Sequence, residues 1–470
     1  MSDSPDTSSE LSRRHVLRAA AAAGLLATPV VGALAGCAGS SPSTSSGSGA
    51  KSADNPFGVA DGSKVNVVVF DGGLGTEYAE KDKGIFTTKH PKVTVNLGKT
   101  QKIKTEEQPK FSTTPSDLIN NSGADAMATD VLVNDGAIVD LTDLLDATTW
   151  EGSGTVRDSL LPGTINDGTY NGKFYTLKYA YTVWGMWYDA ALFEKNGWTA
   201  PKTFDDFFAL APKIKAANMA PFVVDNKHGY YPRWHILATI WKSAGKQAAI
   251  DIDNLKPGAW KADGVLAAVS AMEKIVKDKL ILPGFYDHTQ SQQAHLDHKA
   301  AFIQLGTWYK NEMAKTIPSG FKLTLSDYWS VSSADKAPND VFAGAGEDWV
   351  VPAKAPNKEG AKEFLRAMLS VDGAGQFASL TASLSSRKGS GDKVSDETLA
   401  SANAVMKSAP KDLISWRFPD YYADFDKESQ NQCEELMAGR LTAQGLIDKM
   451  QAMADKIAGD SSIKKQTRTS

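Results

Sequence analysis

Three β-rich segments, each followed by a polar helix-like stretch, constrain the fold of this chain most strongly. VNVVVF (residues 65–70) is a continuous β-branched run, KVTVNLG (92–98) follows a helical stretch, and DLINN (117–121) follows another. Continuous apolar runs of this kind are typical of strands buried on both faces of a parallel sheet. Regular alternation of strand and helix predicts an α/β sheet whose ligand crevice lies outside the carboxyl ends of its strands.

A second region begins with GKFYTLKYAYTVWGMWYD (172–189), which contains two strand-like pieces without an intervening helix. Thr203 and Asp206 form a plausible capping box at the start of an amphipathic helix. Further helices are predicted over 233–245, 261–279 and 358–382, and from about 394 to 459 with short breaks. The pattern predicts a two-lobed α/β protein with a helical C-terminal layer.

The N-terminus has the order of an export signal. Arg13 and Arg14 in SRRHVL precede an alanine-rich apolar run that ends in small residues before Cys37. A transmembrane anchor is the alternative, but glycine and proline interrupt the run. SRRHVL resembles the twin-arginine signal, and LAGC (34–37) resembles the lipobox of bacterial lipoproteins. Residues 1–36 are therefore predicted to be a signal peptide. Residues 37–62 are predicted to be a lipidated Cys37 and a flexible tether.

The formal net charge of −4 argues against nucleic acid as a partner. The chain has two cysteines. If Cys37 is acylated, Cys433 has no partner and is most simply a small helix residue, with no disulfide implied.

Other chemistries find little support in the sequence. DGGLGTEY (71–78) lacks the third glycine of a dinucleotide fingerprint and the lysine of a P-loop. His288, His295 and His298 could ligate a metal, but no second cluster completes a coordination shell, so a solvated helix face is the better interpretation. No GxSxG motif supports nucleophilic hydrolysis. We expect no cofactor, no metal and no catalytic residue.

The strongest compositional signal is aromatic. The chain has eleven tryptophans, and several stand beside polar or small residues. Core packing explains about half of them. As a set they favour a sugar cleft, because a pyranose has an apolar face that lies on an aromatic ring and a rim of hydroxyls that needs polar partners. The tryptophans that stand out are Trp184, Trp187, Trp308, Trp349 and Trp416. Candidates for the polar rim are Asn120, Asn121, Glu347, Asp348 and Arg387.

Four segments together resemble the family 1 extracellular solute-binding proteins of sugar ABC transporters, in order and spacing. They begin GKFYTLKYAYTVWGMWYDAALFEKNGW, PKTFDDFFALAPKIKAANMAPFVV, AFIQLGTWYKNEM and GEDWVVPAKAPNKEGAKEFLRAML. Within that family, NPFGVADGSKVNVVVFDGGLGTEYA and PSDLINNSGADAM resemble the subunits that bind N-acetylglucosamine and N,N'-diacetylchitobiose in high-GC Gram-positive bacteria. The resemblance covers essentially the whole mature chain.

The resemblance implies a type II periplasmic-binding-protein-like fold with the sugar between two lobes. Lobe one would comprise 63–181 and 347–388, and lobe two 182–346 and 389–470, with crossings near Tyr181 and Thr182, near 344–347 and near 387–390. The expected ligand-binding residues come from this resemblance and from the candidates for the polar rim. They are Asp71, Asn120, Asn121, Trp184, Trp308, Glu347, Trp349, Arg387 and Trp416 or Tyr421.

The implied function is capture of sugar by hinge closure and delivery to membrane permease subunits. The protein would be a monomer tethered through Cys37 to the outer face of the cytoplasmic membrane. One rival is a binding protein of the same fold for another oligosaccharide, such as a maltodextrin. Another is a secreted glycoside hydrolase, but Glu347 and Asp348 are adjacent and would point to opposite faces of a strand, so they would not form a catalytic pair.

Overall fold

A computed structural model describes residues 49–123, 125–392, 394–408 and 413–469. The predicted signal peptide, Cys37 and most of the predicted tether lie outside these residues. Within the described ranges, none of the helices is both long and apolar enough to cross a lipid bilayer.

Eleven strands are described in these ranges. They are β1 (Lys64–Phe70), β2 (Thr94–Thr100), β3 (Leu118–Asn121), β4 (Thr169–Tyr170), β5 (Lys173–Phe174), β6 (Leu177–Asp189), β7 (Ala220–Val223), β8 (Ala300–Gly306), β9 (Leu323–Ser326), β10 (Ala343–Val350) and β11 (Leu384–Ser385).

The helices form two sets along the chain. Those before β10 are α1 (Glu77–Lys89), α2 (Ile103–Glu107), α3 (Thr129–Asn134), α4 (Thr142–Asp146), α5 (Val156–Ser159), α6 (Thr164–Asp167), α7 (Ala190–Asn196), α8 (Phe204–Ala216), α9 (Tyr230–Ala244), α10 (Lys246–Asp253), α11 (Asp263–Lys277), α12 (His288–Leu296) and α13 (Tyr309–Glu312). Those after it are α14 (Lys358–Met368), α15 (Val371–Thr381), α16 (Glu397–Ser408), α17 (Phe418–Tyr421), α18 (Ala423–Met437) and α19 (Ala443–Gly459).

One long strand joins the two parts of the main sheet. The strand order is β2-β1-β3-β10-β6-β8-β7, and β9 and β11 also pair with β6. The first half of β6, up to Val183, pairs antiparallel with β10 and β11. Its second half, from Trp184, pairs antiparallel with β8 and β9. The β1, β2 and β3 strands pair in parallel, as predicted for the first region.

Two large apolar cores flank this strand. The first core packs β1, α1 and α14 around residues such as Val67, Phe86 and Phe364. The second core packs α8, α9, α11 and the C-terminal helices α18 and α19 around residues such as Phe207 and Trp241. The predicted α/β architecture with a helical C-terminal layer is confirmed, while the residue boundaries of the two lobes remain a prediction.

Several predicted elements differ in their limits. The two strand-like pieces of the second region merge into the single 13-residue β6, apart from the short β5. The predicted helix over 358–382 is two helices, α14 and α15, with Ser370 as the N-cap of the second. The helix predicted from 233 begins at Tyr230, because Pro232 is tolerated in a first turn where backbone N–H groups have no intrahelical partner. The capping box of Thr203 and Asp206 is confirmed.

Candidate functional site

A cavity of about 520 Å³ opens between the first and second cores. Its walls come from both sides of the molecule. The turn after β1 contributes Gly73 and Leu74, while α9, the end of β8 and α13 contribute residues from the opposite side. The strands β6 and β10 form its floor. The volume lies within the range of small-molecule sites in proteins.

The floor is built by alternate residues of two paired strands. On β6, Ala180, Thr182 and Trp184 line the cavity. The residues that alternate with them, Tyr179, Tyr181 and Val183, are fully buried. On β10, Gly344 pairs with Thr182 and Gly346 pairs with Ala180, so both glycines lie on the cavity side of the sheet. The middle of the floor therefore carries only small side chains and leaves room for a ligand.

One end of the floor is aromatic. The Trp184 ring lies 5.6 Å from the Phe342 ring at an interplanar angle of 18°, and the Trp308 ring meets Trp184 edge-on at 4.4 Å and 81°. Trp234 continues the cluster at 5.1 Å from Phe342. We call this set the aromatic end; its members are Trp184, Tyr230, Tyr231, Trp234, Trp308 and Phe342. Flat apolar faces of this kind match the C–H face of a pyranose.

The position of Trp308 depends on Gly306, the last residue of β8. A Cβ at Gly306 would lie 2.0 Å from a ring carbon of Trp308, so only glycine lets the indole fold back over the strand end. Trp308 is half-buried and lines the cavity. The GTWY segment therefore places a tryptophan in the cavity lining.

Three aromatic residues of α9 line the cavity although the sequence analysis did not select them. Tyr230, Tyr231 and Trp234 come from the first turns of this helix. Arg233, on the same helix, lies with its guanidinium carbon 4.1 Å from the Trp234 ring centre and 5.2 Å from that of Tyr230. Arg233 also forms an ion pair with Asp426 of α18, and burial lowers the pKa of Arg233 to about 10. In the sequence, the aromatic run YYPRW (230–234) was the feature that could have indicated these cavity residues.

Glu347 lies at the edge of the floor in an unusual backbone conformation. Its φ is +59°, in the left-handed region that non-glycine residues rarely adopt. The residue lines the cavity. Burial raises the pKa of its carboxyl, and the nearby polar side chains of Ser122 and Asn120 act in the opposite direction. Backbone strain of this kind clusters at functional positions.

The predicted roles of the paired asparagines need correction, because neither side chain reaches the cavity. Asn120 is fully buried and holds neighbouring groups: its Oδ1 accepts from the Phe70 N–H at 3.2 Å and its amide donates to the Ser122 hydroxyl at 3.0 Å. Asn121 exchanges two hydrogen bonds with the backbone of Met127, at 2.7 and 2.9 Å. Asn120 supports Glu347 from behind, and Asn121 holds a loop.

Two of the predicted tryptophans belong to the cores instead of the cavity. Trp349 follows Glu347 on β10 but is fully buried in the first core. Trp416 is 4% exposed and packs edge-on against Trp241 at 6.1 Å in the second core. Strand alternation sends Trp349 to the face opposite that of its polar neighbour Asp348. Trp416 lies in the segment before α17, where no strand alternation applies.

The remaining predicted residues lie away from the cavity lining. Asp71 forms an ion pair with Lys99 at 3.4 Å, just before the turn that reaches the cavity. Arg387 donates to the Leu369 carbonyl at 2.6 Å and pairs with Glu151 at 3.2 Å. Tyr421 is half-buried against the second core.

The opposite end of the floor carries charge. Lys178 and Asp348 pair across β6 and β10, on the same face as the cavity floor, with 3.3 Å between Nζ and Oδ1. Beside them, Arg417 and Asp167 form a second pair at 2.9 Å. Burial opposes the Lys178 charge, but the carboxylates of Asp348 and Asp167 outweigh it and raise the pKa of Lys178. We call Asp167, Lys178, Asp348 and Arg417 the charged end.

The three histidines of the predicted cluster have separate partners. His295 is buried and its Nδ1 lies 2.8 Å from the Tyr309 hydroxyl, whereas His298 Nε2 lies 2.9 Å from Asp189. His288 stacks on Tyr231. No group of metal-ligating side chains occurs among the residues that the structure describes. The expected solvated face is wrong for His295, which faces inward.

Comparison with known proteins agrees with this geometry. The family profile described as bacterial extracellular solute-binding protein matches residues 84–407. The chain is 32% identical to the diacetylchitobiose binding protein NgcE of Streptomyces coelicolor, over 97% of this chain and 98% of that protein.

Solved structures share the fold at low sequence identity. A chitin oligosaccharide binding protein superposes with a TM-score of 0.65 at 18% identity, covering 84% of this chain and 98% of the other. The apo form of RafE from Streptococcus pneumoniae gives 0.66 at 17% identity, covering 85% and 99%. The predicted two-lobed binding-protein fold is thereby confirmed. The chain belongs to the bacterial extracellular solute-binding proteins and is a carrier, not an enzyme.

Proposed function

We propose that this protein captures N,N'-diacetylchitobiose, and N-acetylglucosamine more weakly, as the binding subunit of an ABC sugar importer. The observation that carries the proposal is the sheet face that forms the cavity floor: its aromatic end lines the cavity, and beyond the lining residues the same face continues to the charged end. A sugar needs both, since its C–H face stacks on rings and its hydroxyl and amide groups need hydrogen-bond partners. The full-length likeness to a diacetylchitobiose binding protein supports the choice of sugar.

The floor strands also suggest how the site closes. The two predicted lobes would rotate about β6 and β10. Lobe one is 63–181 and 347–388, and lobe two is 182–346 and 389–470. The pairing partner of β6 changes between Val183 and Trp184. Sugar would first stack on the aromatic end, and rotation would then bring Gly73 and Leu74 against it. A ligand that contacts both lobes only in the closed state favours that state by the free energy of the added contacts.

The proposed partners follow from this function. The closed protein would dock as a monomer on permease subunits. A lipid on Cys37 would hold it at the outer face of the cytoplasmic membrane, where the tether allows it to reach the permease. Metabolic labelling with a radioactive fatty acid tests the anchor, because Cys37→Ser should abolish incorporation of the label.

Titration calorimetry tests the ligand. The protein carrying Cys37→Ser is titrated with N,N'-diacetylchitobiose, N-acetylglucosamine, maltose and raffinose. We expect micromolar or tighter binding of diacetylchitobiose, weaker binding of the monosaccharide and no heat from the other two. Binding of maltose or raffinose without the N-acetylated sugars would contradict the proposed ligand and favour a carrier for another oligosaccharide. Monosaccharide released from diacetylchitobiose would contradict the carrier function.

A further inference from the structure

We infer that Asp167 contacts the ligand and fixes its orientation, by accepting a hydrogen bond from a hydroxyl or amide N–H of the bound sugar. The inference rests on the proposed function, because it concerns the same cavity. Asp167 ends α6, outside the motifs that the sequence analysis selected.

The two carboxylate oxygens of Asp167 have different surroundings. Oδ1 accepts a hydrogen bond from Arg417 Nη2 at 2.9 Å. Oδ2 lies beside the cavity floor, since a Cβ built on Gly344, which lines the cavity, would lie 3.6 Å from it; a Cβ built on Gly163 would lie at the same distance. Within the described ranges Oδ2 has no hydrogen-bond partner. One oxygen is therefore held in place while the other is unpaired beside the cavity floor.

Arg417 is itself fixed. The backbone N–H groups of Arg417 and Phe418 donate to Asp253 Oδ1 at 3.1 and 2.8 Å, and Asp253 is paired with Arg468 at 2.7 Å. These contacts tie Arg417 to the second core. Since the side chain of Arg417 is 25% exposed and that of Asp167 18%, their pair is shielded from solvent more than a surface ion pair. A carboxylate held in this way accepts a hydrogen bond without first losing freedom of rotation.

The neighbouring side chains leave Asp167 accessible. Gly344 has no side chain, and its partner across the strands, Thr182, is small. Lys178 lies close enough for its charge to interact with that of Asp167. A carboxylate oxygen accepts hydrogen bonds, so the ligand must present a donor there. A sugar with its C–H face on the aromatic end would place a hydroxyl or acetamido N–H at this position.

Affinity measurements on four variants test the inference. The variants are Asp167→Ala, Arg417→Gln, Gly344→Ala and the matched control Asp420→Ala, whose carboxylate also lies beside Arg417, 3.8 Å from Nη1, but is 70% exposed. Each is titrated with the sugar that the unmodified protein binds best, and its melting temperature is measured. We expect Asp167→Ala to weaken binding by about tenfold or more, because hydrogen bonds to charged groups are worth more than neutral ones.

The other variants separate contact from indirect effects. Arg417→Gln keeps the carboxylate and should cost less affinity than Asp167→Ala. Gly344→Ala should remain folded, since its Cβ is at ordinary contact distance from Oδ2, yet its methyl should obstruct the ligand and weaken binding. Asp420→Ala should bind as the unmodified protein does. Equal losses in Asp167→Ala and Arg417→Gln would mean that Asp167 acts only through the ion pair and would overturn the inference.

The unmodified protein provides the check on the proposed function. If it binds maltose or raffinose instead of N-acetylated sugars, the proposed ligand is wrong, but the Asp167 variants still decide the inference with the sugar that binds. If it binds a sugar and Asp167→Ala melts normally with unchanged affinity, the inference alone fails. If it binds none of the four sugars, both fail.

Discussion

Removing the Trp308 indole should weaken sugar binding without unfolding the protein. Trp308 is half-buried, lines the cavity and meets Trp184 edge-on at 4.4 Å. A fully covered indole buries roughly 150–250 Å², so a pyranose on one face of a half-buried ring removes about 60 Å² from water. At about 25 cal/mol per Å², this area contributes about 1.5 kcal/mol, or about tenfold in affinity. Loss of support for Trp184 adds about 0.5–1.5 kcal/mol.

The expected result for Trp308→Ala is therefore a dissociation constant between about 30-fold and 160-fold higher. Calorimetry with N,N'-diacetylchitobiose measures it, and circular dichroism checks the fold. Trp198→Ala is the matched control, since Trp198 is also half-buried beside the second core but packs edge-on against Phe193 at 5.4 Å, outside the cavity lining. Trp198→Ala should bind normally. If a folded Trp308→Ala bound the sugar within twofold of the unmodified protein, Trp308 would have no place in the site.

Three further predictions concern other parts of the structure. Gly306→Ala should weaken sugar binding about as much as Trp308→Ala, because the added methyl would displace the Trp308 ring. Calorimetry measures the change, and unchanged affinity would contradict the dependence of Trp308 on Gly306. Glu347→Gly should raise the melting temperature, because glycine adopts φ +59° at less cost, and should weaken binding; a lower melting temperature would contradict the strain argument. Burial raises the pKa of Asp82 well above its usual value, so its contribution to stability is full below about pH 4 and falls as pH rises through the native pKa. Asp82→Asn should therefore gain stability relative to the unmodified protein in melts at pH 8 but not at pH 4, and an equal difference at both would contradict the assignment.

The sequence could predict those parts of the fold where one local pattern dominates. β1 and β3 appear within a residue of their predicted limits, because continuous β-branched runs leave few alternatives. Trp184 and Trp308, which the sequence analysis selected, both line the cavity: Trp184 lies in the middle of β6 beside Gly185, and Trp308 follows the end of β8.

The same reasoning could not separate Glu347 from Trp349. Both lie on β10, where Glu347 adopts a left-handed backbone conformation, and such conformations are seldom evident from sequence when the residue is not glycine. Trp349 then pairs with Leu177 and Asn120 in the sheet and enters the first core. The sequence analysis also missed Asp167. Its segment NDG is typical of a turn, and its ion-pair partner Arg417 lies 250 residues later in the chain.

The strands that form the cavity floor are also the strands that join the two cores, so the proposed closure would be coupled to binding. A rotation between the cores would change backbone angles near Val183 on β6 and near its partner Ala343 on β10. Gly344 lies next to that point, where the lack of a side chain eases a change of backbone angle and keeps the floor open to the ligand. A bulky residue there would therefore stiffen the connection and fill the site at once.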